Sequence, residues 1–86
     1  MTLFEQWLID DIEKQSRSTK KIFLRMLKFE PARVLVSIST NLIDWATQFV
    51  AEKGKAVSYL PDDDTVAKSI LASWQEQYKA ELEAIK

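Results

Sequence analysis

Between Pro31 and Lys53 the apolar residues Leu35, Ile38, Leu42, Trp45 and Phe49 recur at alternating spacings of three and four. Ile43, Ala46 and Val50 flank them, and Ser37, Asn41, Asp44, Gln48 and Glu52 form the opposing polar stripe. That is the period of an amphipathic α-helix. The stretch Val34 to Ile38 also reads locally as a strand because it is β-branched, but the stripe passes through it in phase with the residues after Ile38. One long helix is therefore expected from Pro31 to Lys53, either a continuous rod or bent near Ser39. Pro31 suits a first helical position, and Gly54, the only glycine, suits the left-handed residue that ends a helix.

The same period organises the rest of the chain. Thr2 and Glu5 have the spacing of a capping box. A first helix is expected from Leu3 to Gln15, with Leu3, Phe4, Trp7, Leu8 and Ile12 inward. Asp11 falls inside that arc, so it needs a partner or an exit to solvent: it should lie near the fraying end or pair with a base of the next helix, rather than serve as a functional carboxylate. Ser16, Arg17 and Ser18 read as a break, with either serine able to cap a second helix from Thr19 to Phe29 that turns Ile22, Phe23, Met26 and Leu27 inward. Lys55 to Pro61 reads as an extended connection, or less readily a short strand, tacked to the core by Ala56, Val57, Tyr59 and Leu60. Asp62, Asp63 and Asp64 introduce a last helix carrying Val66, Ala67, Ile70, Leu71, Trp74, Tyr78 and Leu82 on one side. Trp7, Trp45 and Trp74 fall on three helices, each in phase with its apolar stripe, and are expected to pack together or, less readily, to have one of them line a ligand pocket. The expected architecture is all-α: a single domain over residues 1–86, a compact bundle of about four helices with a long central third helix.

Composition narrows this picture. With 86 residues, one core must supply nearly all the stability. One Gly and two Pro are too few for the turns of a sandwich or barrel. Cysteine is absent, which excludes disulfides and thiolate metal sites and favours the cytoplasm. The first residues lack the basic and apolar regions of a signal peptide, and the longest uncharged stretch, Val34 to Ile43, is about half the roughly 20 residues that cross a bilayer. No membrane association is expected.

Catalytic parts are also missing. There is no His and no Cys, hence no common general base, soft metal ligand or activated thiol. A single Gly rules out a Gly-rich phosphate loop. The triplet Asp62 to Asp64 could hold a hard cation in principle, but it matches no EF-hand spacing, and carboxylates at a helix start are explained by capping and the helix dipole. The chain is expected to be non-enzymatic, with no cofactor and no metal.

Charge is unevenly placed. Residues 17–33 carry six bases and one acid, whereas the segments on either side are net acidic. Arg17, Lys21, Arg25 and Lys28 are spaced four, four and three apart, a single stripe on a helix, with Lys20 and Arg33 nearby and Leu24 at its border. These seven residues form the candidate binding surface. In one reading the ridge docks an acidic protein surface with Leu24 as apolar anchor. In a second it contacts nucleic-acid phosphates, although a sequence pI near 5.4 is low for that role. In a third it is a solvated face balancing the acidic helices. A protein partner is favoured, and a homodimer fits a core of modest size.

The order of elements resembles small PcfK-like proteins of conjugative plasmids, integrated elements and phages. The likeness spans most of the chain: Trp7-Leu8, Ile22-Phe23-Leu24, a long helix containing Leu42, Ile43 and Phe49 that ends in Lys53-Gly54, and Asp62-Asp63-Asp64-Thr65-Val66 opening the last helix. It departs where such proteins continue with a His-Tyr-Tyr-like, acid-rich ending, since this chain has Ser73-Trp74-Gln75-Glu76-Gln77, and in the length of the first loop. The resemblance implies an accessory protein of a mobile element, without catalytic residues. A further reading is a small phage-type inhibitor that mimics nucleic acid with its acidic faces.

Overall fold

The computed structural model describes residues 2–54 and 63–86, and among these the protein is all-α, with no strand. Helix α1 is Leu3–Glu13, α2 Arg17–Phe29, α3 Pro31–Lys53, α4 Asp63–Gln77 and α5 Lys79–Ala84. The connection expected from Lys55 to Pro61, and Asp62 of the acidic triplet, lie outside the described residues. None of the described helices is long and apolar enough to cross a membrane.

Local chemistry sets the helix ends. Thr2 Oγ1 accepts the Glu5 backbone N–H at 3.0 Å and starts α1. Ser16 Oγ accepts the Thr19 N–H and caps α2, so Arg17 and Ser18 belong to the helix and not to a three-residue break. Glu30 (φ −135°) separates α2 from α3, and Pro31 comes next as the first helical residue, where its missing N–H costs nothing. Gly54 takes φ 65° and ψ 19° and donates its N–H to Val50 O, closing α3 as one continuous helix of 23 residues.

Helix α3 packs against α1, α2 and α4. Its row Val34, Ile38, Leu42 and Phe49 is buried, with Leu35 and Trp45 half-buried beside it. Facing it, Ala67, Ile70 and Trp74 of α4 and Tyr78 are buried. The three tryptophans divide between two aromatic groups. Trp45 and Trp74 meet at 6.1 Å between ring centroids, with Phe23 edge-on to Trp74 at 5.2 Å. Trp7 instead joins Phe4 and Phe49, at 6.0 and 5.6 Å.

Three further expectations require correction. The buried arc of α1 is Phe4, Leu8 and Ile9, turned by about 60° from the arc centred on Trp7 and Asp11. Leu3 is therefore exposed, and Asp11 leaves the core side for solvent. Because α1 packs against both α3 and α4, its buried arc must serve both. The fourth expected helix is two, so the described helices number five. Tyr78 (φ −106°, ψ 20°) interrupts it, and α5 packs against α2. Finally, α2 is rotated relative to its expected orientation, which decides the candidate site.

Candidate functional site on helix α2

Six of the eight residues from Ile22 to Phe29 are apolar, so their spacing alone cannot centre the buried face of α2. The structure buries Leu24 and Leu27, with Phe23 and Met26 half-buried. Ile22, expected inward, is 63% exposed, and Leu24, expected as an outward anchor, is 8% exposed. The helix is turned by roughly 80° from the expected phase.

This rotation splits the basic stripe. Lys20 and Lys28 share the inward face with Leu24 and Leu27, at spacings of four, three and one, and their alkyl stems run along the core edge while their ammonium groups find internal partners. Lys20 Nζ lies 2.8 Å from Glu13 Oε2 and 5.3 Å from the centre of the Tyr78 ring. Lys28 Nζ donates to Leu82 O at 2.7 Å and also to Ile85 O, placing its charge at the negative end of the α5 dipole. Arg33 stands on α3, exposed, with Glu30 at 3.3 Å. Arg17, Lys21 and Arg25 remain exposed on α2 and make no ion pair among the described residues. Of the seven candidates, then, three form an open cationic row about 12 Å long. Lys20 and Lys28 tie the fold together, Leu24 is core, and Arg33 stands apart.

The contact joining α1, α2 and the α4–α5 junction centres on Glu13. Its second oxygen, Oε1, accepts the Tyr78 hydroxyl at 2.9 Å, so each carboxylate oxygen has one donor. The hydrogen bonds from Lys20 and Tyr78 hold the Glu13 carboxyl below the usual carboxylate range. Burial, then the Glu13 carboxylate, push the Tyr78 phenol well above its ordinary value.

Rotation also places apolar side chains outside. Ser18, Ile22, Arg25 and Phe29 succeed one another at spacings of four, three and four on the outward side, with Lys21 beside them. Ile22 and Phe29 are both exposed. Ile22 also forms part of the rim of an apolar cleft of about 380 Å³ lined by α1, α2, α3 and Trp74 of α4. All three tryptophans line this cleft, together with Phe23 and Met26, while Asp11, Lys20 and Gln48 contribute polar groups. Among the described residues Trp74 Nε1 and Ser73 Oγ are buried without a hydrogen-bond partner. The cleft could not be read from spacing, because it is formed by side chains of four helices whose mutual rotation is a tertiary property. No group of three or more acids among the described residues is placed to hold a metal ion.

Compared with known proteins, the chain matches no family model, no curated protein and no solved structure at a significant level. The resemblance to PcfK-like proteins therefore rests on its short sequence motifs alone.

Proposed function

We propose that the protein is a non-enzymatic binding module whose α2 face and adjoining cleft dock an acidic protein segment bearing a large apolar side chain. The observation that carries this reading is the position of Ile22, exposed on the rim of the apolar cleft and next to Lys21 and Arg25, cations with no ion-pair partner among the described residues. An apolar anchor entering a pocket beside complementary charge is a common arrangement in protein interfaces: the anchor contributes affinity, and the charges contribute orientation and encounter rate. Ile22 and the cleft take the role first expected of Leu24. The accessory role in a conjugative element or phage implied by the PcfK-like motifs belongs to the same proposal, as does a cytoplasmic setting.

Peptide-display selection against the immobilised protein tests the reading. Selected peptides should share one aromatic or large aliphatic residue flanked by Asp or Glu, and should lose binding to Ile22→Asp and to the Lys21→Glu, Arg25→Glu double variant. Enriched peptides without acids, or binding indifferent to both variants, would overturn it. Salt-sensitive binding of labelled duplex or single-stranded nucleic acid, abolished by the double variant, would transfer the ridge to the nucleic-acid reading.

A further inference from the structure

Helix α5 is the one described helix with no buried residue. Its six residues are too few to stay helical alone in water, and Tyr78, its N-cap residue, makes no side-chain cap. Leu82 and Ile85 reach the core edge half-buried. Glu81 and Glu83, on either side of Leu82, are exposed and make no ion pair among the described residues. Tyr78 itself is fixed, with its ring buried and its hydroxyl on Glu13. The backbone break at Tyr78 therefore separates an anchored residue from a lightly docked helix, as a hinge does.

Contacts at its two ends show where α5 lies on α2. Tyr78 stands at the level of Lys20 and Phe23, with Lys20 Nζ 5.3 Å from its ring centre and the Phe23 ring at 6.3 Å. Further along, Leu82 O and Ile85 O accept from Lys28. Lys20 to Lys28 spans about 12 Å of α2, and Tyr78 to Ile85 about 10 Å of α5, so the short helix runs beside α2 in the same direction and passes Leu24. Lys20, Leu24 and Lys28 make one row at spacings of four, and α5 lies along it.

In Glu81-Leu82-Glu83, α5 carries acids flanking a large aliphatic residue, the chemistry proposed above for the partner of α2. We infer that α5 is a displaceable latch, the chain's own occupant of the row Lys20, Leu24 and Lys28, and that an acidic amphipathic helix of a partner takes its place. Release frees Lys28 to join Arg17, Lys21 and Arg25 in one stripe, and uncovers Leu24 as the apolar anchor beside it. A longer helix in the same position buries more apolar surface than Leu82 and Ile85 do, and brings acids to cations that α5 leaves without an ion pair. Because α5 and the partner use one row, they exclude each other, and whatever loosens α5 raises partner affinity. The partner class rests on the reading above, whereas the release of α5 does not.

Native-state hydrogen exchange of the full chain, followed by NMR, should show the Leu82 and Ile85 amides, bonded to Tyr78 O and Leu82 O, exchanging at least roughly tenfold faster than Leu42 in the middle of α3. Leu82→Asp, with Ile85→Asp as an independent second variant, should open α5 further while the circular dichroism of the other helices is kept. A synthetic peptide of residues 79–86, titrated to millimolar concentration, should shift the Leu24 and Lys28 amides of either aspartate variant and bind at least about tenfold more tightly than to the parent protein. Lys28→Ala, which also loosens α5, should gain no such binding, and a peptide carrying Glu81→Gln and Glu83→Gln should bind less. Amides of α5 as slow as Leu42 would overturn the latch. A peptide that binds the parent and the aspartate variants equally, or leaves Leu24 and Lys28 unshifted in both variants, would overturn the shared row. Neither result bears on the outward face, whose test is the loss of selected peptides on Ile22→Asp.

Discussion

The two sides of α2 carry the same kinds of residue with opposite fates. On the inward side, Lys20 and Lys28 close hydrogen bonds to Glu13 and to the end of α5, and Leu24 and Leu27 enter the core. On the outward side, Lys21 and Arg25 have no ion-pair partner among the described residues, and Ile22 and Phe29 meet solvent. A cation or a large aliphatic side chain is thus structural or available for binding according to the phase of its helix, not its type.

Truncations should separate the sides most sharply in the core. Leu27→Ala should cost about 3 kcal/mol, and Leu24→Ala, slightly less buried, about 2 kcal/mol, in urea unfolding. Ile22→Ala should stay within about 0.5 kcal/mol. Equal losses at Ile22 and Leu24 would erase the distinction between the faces.

The cations should show the same order at smaller amplitude. Lys28→Ala removes the donor to the α5 carbonyls and should cost about 1–2 kcal/mol, whereas Arg25→Ala should cost less than about 0.5 kcal/mol. A thermal melt of each variant against the parent protein decides this.

The Glu13–Lys20–Tyr78 contact is sharpened by pH. The Glu13 carboxyl titrates below its unfolded value, so its stabilisation is present at neutral pH and is lost as pH falls through the carboxylate range to the folded value. Tyr78 has the opposite sign: its raised phenol stabilises the fold below about pH 10, and that contribution is lost as pH rises toward the higher folded value. Tyr78→Phe should cost about 1 kcal/mol near neutrality and flatten the alkaline limb of a stability–pH profile. Glu13→Gln should reduce the acid limb. An acid limb unchanged in Glu13→Gln would show that this contact contributes nothing to stability.

How far the sequence was legible depends on how well each segment defined its own phase. In α3, five apolar residues at regular spacing left nearly one centre for the buried face, and Pro31 and Gly54 marked its ends, so its bounds agree with the structure; Ile38, Leu42 and Phe49 of the row are buried, Leu35 and Trp45 half-buried, Val34 joins them, and the flanking Ile43 and Val50 are exposed. In α2 a nearly continuous apolar run admitted several centres, and the long lysines that snorkel at its edges looked like part of an external stripe. In α1 the acid at position 11 inside the expected arc was the sign that the arc was miscentred. The break at Tyr78 carries neither Gly nor Pro, so nothing local announced it. It accompanies a buried phenol bonded to Glu13, 65 residues earlier in the chain.

The phase of α2 underlies both the core assignment and the proposed binding surface, and thiol accessibility tests it most directly. In the otherwise cysteine-free chain, Ile22→Cys and Leu24→Cys each introduce a single reporter for a thiol reagent under native conditions. Ile22→Cys should react within roughly tenfold of the unfolded rate, while Leu24→Cys should be protected by on the order of a hundredfold or more. Protection at position 22 with free reaction at position 24 would contradict that phase.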